Sequence, residues 1–306
     1  MPRSPGIWDL GADYGTADAD FGQRVLDGLL AILDLEMIEE DIFRGRSPKV
    51  WVQRVFGGQV AGQALIAAGR TVPADRLVHS LHSYFIRPGD PTVPIVYEVD
   101  RIRDGRSFTT RRVVAIQHGK TIFSLSASFQ LPQEGITHQS VAPPGASPDT
   151  LPRRVNGFDL VSDHPRVHDR IPWPFDLRYV DKPSWEQRPD GPRDGDYRIW
   201  MKAAGVMPDD PLLHACALTF ASDLTLLDAV LVRHAVTRSP EVRMASLDHA
   251  VWFHRPFRAD EWLLYAQESP SASGGRGLAM DRIFDEQGNH VATVVQEGMI
   301  RLGRRE

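Results

Sequence analysis

The chain reads as helix, then a run of strands, and then the same pattern again. Phe21, Val25, Leu29 and Leu33 recur at helical spacing, with Asp20 placed to cap the start. A second helix is predicted from about Gln59 to Arg70, after the flexible pair Gly57-Gly58 and before Pro73. The period then changes to two. Strands are predicted over 77–86, 93–99, 107–116 and 122–130, separated by turn-forming stretches such as Arg103-Asp104-Gly105. From about Leu131 to Gly195, Pro and Gly punctuate a connector with one strand near 177–180. Past it, a helix is predicted to follow Ala221-Ser222-Asp223, with strands at 244–254, 262–268, 278–284 and 290–301. The organisation expected is an N-terminal unit 1–131, a connector 132–175 and a C-terminal unit 176–306.

The return is an internal repeat. Phe56-Gly57-Gly58-Gln59-Val60 lies over Phe220-Ala221-Ser222-Asp223-Leu224, 164 positions on. Phe85-Ile86-Arg87-Pro88 lies over Phe253-His254-Arg255-Pro256 at 168, and Gly119 over Gly288 at 169. One helix followed by four or five antiparallel strands has an economical solution, in which the sheet curls around the helix and buries its apolar side. Two copies then pair edge to edge. A crevice is expected between them near the helix N-termini, where free N–H groups polarise a carbonyl or hold an anion.

Composition narrows the class. The chain has 306 residues, of which 42% are hydrophobic and 25% charged, which is globular usage. A net charge of -5 disfavours a nucleic-acid binder. The single Cys216 cannot form an internal disulfide, and no run of about 18 apolar residues spans a membrane. No leader or sorting address is read at either terminus, so a soluble cytoplasmic protein is expected. No H-E-x-x-H, cysteine pair, phosphate loop or G-x-S-x-G elbow occurs, so neither metal nor cofactor is expected. His79 and His82 are three apart on a strand, which would turn them to opposite faces.

Within a duplicated chain, shared positions report the fold and differing positions report function. Three differences stand out. Gln296 shares a strand face with Ala292, Val294, Gly298 and Ile300, where the first copy has the apolar face Phe123, Leu125, Ala127 and Phe129. Asp223, at the start of the second long helix, replaces Gln59, and Ser246 replaces Val78. A carboxylate, a hydroxyl and an amide beside a helix N-terminus would hold and deprotonate a water. Each also has an ordinary reading: Asp223 as a helix N-cap, Ser246 as a strand-edge hydroxyl, Gln296 as an amide paired with backbone.

At these residues the sequence resembles the acyl-CoA thioesterase II family, the double hotdog thioesterases. The resemblance lies in Val55–Gln59, Val78–Gly89 and Asp104–Phe108, and in the second copy in Ala221–Asp223, Leu247–Phe257 and Val295–Gly298. It implies an α+β fold of two repeats, each an antiparallel sheet wrapped around a long central helix. It also implies hydrolysis of acyl-CoA to a free acid and CoA, with Asp223, Ser246 and Gln296 as the catalytic set. Ser246 stands where that family commonly has Thr. A homo-oligomer acting on acyl-CoA is expected. The rival readings are a hotdog enoyl-CoA hydratase or dehydratase, which would want an Asp–His pair across the crevice, and a non-catalytic acyl-CoA-binding protein.

Overall fold

The computed structural model describes residues 20–48, 54–152, 174–186, 191–192, 195–239 and 241–303. Residues 1–19, which include the stretch read for a leader, residues 153–173 of the Pro-rich connector and the last three residues lie outside the described residues.

The first repeat comprises α1 (Phe21–Leu33), β1 (Glu36–Glu39), β2 (Ile42–Gly45), α2 (Gly57–Gly69), β3 (Leu77–Phe85), β4 (Ile95–Asp104), β5 (Phe108–Gln117) and β6 (Lys120–Gln130). The second comprises β7 (Phe175–Tyr179), β8 (Tyr197–Ala203), α3 (Pro211–Ser222), α4 (Asp228–Arg233), β9 (Val242–Ser246), β10 (Asp248–Phe253), β11 (Leu263–Ser273), β12 (Arg276–Asp285) and β13 (His290–Leu302). Among the described residues the strands form one sheet in the order β1-β2-β4-β5-β6-β3-β10-β13-β12-β11-β8-β7, with β9 beside β13. That order reads the same from either end once each strand is exchanged for its repeat. The repeats join where β3 pairs antiparallel with β10, Leu81 opposite Val251 and Ser83 opposite His249. This is the double hotdog arrangement that the resemblance implies.

Inside the curl, α2 and α3 run antiparallel. Both are built from small residues and buried along nearly their whole length. A Cβ added to Gly58 would come 2.5 Å from the Phe220 carbonyl, and one on Gly62 3.3 Å from that of Cys216. Gly58 is therefore there for close approach of two helices and not for flexibility. Gly58→Ala is expected to destabilise the protein by about 1–3 kcal/mol, because the obstacle is backbone that cannot rotate away. A chemical denaturation midpoint checks it.

Several expectations are corrected. The second-copy helix does not begin at Asp223 but ends there, and Asp223 is the C-cap of α3. A turn with i→i+3 bonds then leads into the short α4. The strand expected over 244–254 breaks at Leu247, which donates to Glu297, so both halves pair with β13. The same irregularity falls between Val78 and Ser80 in β3. It turns His79 outward onto Ser128 (2.8 Å), on the same outer face as His82, so these two do not point opposite ways. Strands β1, β2 and β8 are not among the elements read from the sequence. Asp20 sits at the N-cap of α1 but its side chain makes no capping bond.

Candidate active site

Asp223, Ser246 and Gln296 come from three separate elements and meet. Gln296 projects inward from β13, whose alternating burial puts Ala292, Val294, Gln296 and Gly298 on the inner face. Its amide Nε2 donates to Asp223 Oδ1 (2.7 Å) and to Ser246 Oγ (2.6 Å). Ser246, the last residue of β9 and opposite Gly298, donates to the same Asp223 Oδ1 (3.1 Å). Gly298 makes room for the turn that carries the carboxylate, since a Cβ there would come 2.4 Å from Leu227.

The second carboxylate oxygen faces the other repeat. A Cβ on Gly57 would come 2.6 Å from Asp223 Oδ2, and the Gly58 backbone N–H bonds the carboxylate. Asp223 therefore does lie at a helix N-terminus, but at that of α2 and across the repeat boundary. The antiparallel packing explains this, because the last turn of α3 lies against the first turn of α2. The N-cap residue of α2, Phe56, supplies no capping side chain of its own. The positive end of α2 thus meets a carboxylate that the other repeat provides.

Asp223 keeps part of its surface open, yet protein crowds its carboxyl enough that burial raises its pKa above the usual carboxylate range. His249, Gln296, Ser246 and the Gly58 N–H oppose that shift. His249 is the residue that sequence reasoning missed at this site. It is 1% exposed and its Nε2 lies 2.9 Å from Ser222 Oγ, next in the chain to Asp223. The single Ser222 hydroxyl proton goes to the Thr219 carbonyl (3.0 Å), so Nε2 donates to Ser222. Burial lowers the pKa of this imidazole, against the pull of Asp223 and Gln296. The signal that would have found it is the repeat itself, since His249 stands over the apolar Leu81.

Two family models match the chain. The family model for acyl-CoA thioesterase covers residues 173–299, and that for the acyl-CoA thioesterase N-terminal domain covers 47–130. Acyl-coenzyme A thioesterase 8 of Mus musculus is 40% identical over 96% of this chain and 95% of its own length. Acyl-CoA thioesterase 2 of Haemophilus influenzae is 37% identical over 91% of this chain and 98% of its own. The crystal structure of an acyl-CoA thioesterase II from Mycobacterium marinum superposes with a TM-score of 0.75 at 47% identity, covering 90% of this chain and 98% of that one. The fold is that of the hotdog thioesterases, and its relatives make the chain a thioester hydrolase. The chain belongs to the acyl-CoA thioesterase family.

Proposed function

We propose that the protein hydrolyses acyl-CoA thioesters by direct attack of a water that Asp223 activates. The observation that carries this reading is the meeting of Asp223, Ser246 and Gln296 at the α2 N-terminus. Ser246 and Gln296 both donate to Oδ1, which fixes the carboxylate's orientation and leaves Oδ2 on the side of Gly57. The water binds on that side, and the thioester carbonyl points at the first-turn N–H groups of α2. This replaces the second long helix, which the sequence had suggested for that role.

In the reaction the water gives its proton to Asp223 as its oxygen bonds the carbonyl carbon. The carbonyl electron pair moves to oxygen, where the helix end stabilises it. When the carbonyl re-forms, the C–S bond breaks and its pair leaves on sulfur. Asp223 returns the proton to the thiolate, giving a free acid and CoA.

An enoyl-CoA hydratase is the second reading, because Asp223 and His249 are electrostatic neighbours of the kind it would want. Against it, the His249 Nε2–H is already committed to Ser222 and the ring is sealed from solvent. Release of CoA thiol from saturated acyl-CoA of graded chain length tests the reading, with an enoyl-CoA followed by its absorbance in a parallel assay. Thiol release from the saturated substrates is expected, and loss of enoyl absorbance without thiol release would favour the hydratase. The units 1–131, 132–175 and 176–306, a homo-oligomeric assembly and a cytoplasmic location belong to the same proposal. Light scattering of the purified protein checks the assembly.

A further inference from the structure

A second set of polar residues is special to the second repeat and lies behind the proposed site. In the first repeat β4 and β5 bring Val99 opposite Val113, both buried. The matching positions, 168 further on, are Gln267 opposite Asp281 across β11 and β12, and Thr225 of the turn after α3 bonds to Gln267. All three are 5% exposed or less. Gln267 Nε2 donates to Thr225 Oγ1 (2.8 Å) and to Asp281 Oδ2 (3.2 Å). Where one repeat buries a pair of apolar side chains, the other buries a hydrogen-bonded chain ending on the turn that carries Asp223. Apolar filling would occupy such space without the cost of desolvating a carboxyl.

The donor count says what state the chain is in. Both N–H groups of Gln267 are spent, while Gln267 Oε1 and Asp281 Oδ1 are buried acceptors without a partner. A proton on Asp281 supplies the missing donor. The charged and titratable groups acting on Asp281 or acted on by it are Asp196, Arg282 and Tyr265. Arg282 is committed to Asp196 at 2.8 Å, and among the described residues Asp281 makes no ion pair. Burial pushes its pKa up to about 8, which keeps the acid form at neutral pH.

We propose that Thr225, Gln267 and Asp281 are positioning residues for the hydrolysis, tying the 223–227 turn to the β11–β12 ladder so that Asp223 meets Ser246 and Gln296. This rests on the assignment of Asp223 above. Thr225 is two residues from Asp223, and its carbonyl also accepts the Asp228 N–H that opens α4 (2.9 Å). Releasing Thr225 frees the turn at its midpoint, and a misplacement of about 1 Å is enough to cost a large factor in rate.

The test removes the chain with Thr225→Ala, Gln267→Val and Asp281→Val together, the two Val being the first repeat's residues, alongside Asp281→Asn and Asp223→Asn. The triple variant is expected to fold, to keep KM for acyl-CoA within about twofold and to lose about tenfold or more in kcat. Asp281→Asn, an amide that keeps a donor and does not titrate, is expected to hold kcat at neutral pH. It should also abolish the wild-type fall in kcat as pH rises through about 8. An unchanged kcat in the triple variant, or a change in KM alone, would overturn the proposal. If the triple variant does not fold, Asp281→Asn decides, and the same alkaline fall in both proteins overturns it. A fully active Asp223→Asn would instead refute the assignment of Asp223. An inactive Asp223→Asn with normal network variants refutes the positioning role alone.

Discussion

Asp223→Asn is expected to lower kcat for acyl-CoA hydrolysis by about 10²–10⁴-fold while leaving the fold intact. The substitution is nearly isosteric. The Asn carbonyl can still accept from Gln296 and Ser246, which both donate to Oδ1, so the inner half of the site survives. What disappears is basicity at the oxygen that faces Gly57 and the α2 N-terminus. Because burial raises the Asp223 pKa, the wild-type rate should also show an acid limb. Activity is present where the carboxylate is ionised and falls as pH drops through a value above the ordinary 3.8. Thiol-release kinetics across pH, with circular dichroism as the folding check, measure both effects. A folded variant of normal activity would remove Asp223 from the mechanism.

Asp281→Asn should stabilise the protein, and more so as the pH rises. Asp281 has a folded pKa of about 8 against an ordinary 3.8, so the folded state holds a proton that the unfolded chain releases. The stability this contributes is fully present below the ordinary value and is lost as pH rises through about 8. The Asn variant lacks that loss. The two proteins should melt alike near pH 4, and the variant should gain up to about 6 kcal/mol above pH 8, an upper bound because buried sites relax. Melting temperatures measured at several pH values check it. A gap that stays constant with pH would show that Asp281 is not held as an acid.

The fold was largely legible because duplication doubles every signal. Period-two stretches marked β3, β5, β6, β12 and β13 to within about two residues, ordinary boundary error. Position 223 was misread for a physical reason. In the first repeat the Phe-Gly-Gly motif opens a helix, and the matching Phe220-Ala221-Ser222 closes one. The two motifs align because the helix ends abut, and sequence spacing cannot distinguish a start from an end when both are small and buried. The three polar positions were legible because each replaces a residue of different character in the other copy. His249 and the Gln267–Asp281 pair obey the same rule but are hidden by strand periodicity. It places them on an inner face, where a lone histidine or carboxyl reads as packing until its partners are visible. The role of Gly57 was not legible at all, since the group it accommodates is the carboxylate of Asp223 across the repeat boundary.

The central claim is that solvent oxygen reaches the thioester carbon directly, with Asp223 moving the proton and forming no bond to the acyl group. A single turnover in ¹⁸O-labelled water, with enzyme in excess over acyl-CoA, tests it most directly. The account predicts one labelled oxygen in the released acid and none in the proteolytic peptide that contains Asp223. Label in that peptide, with unlabelled acid from the first turnover, would mean that the carboxylate attacks as a nucleophile, and would contradict the account.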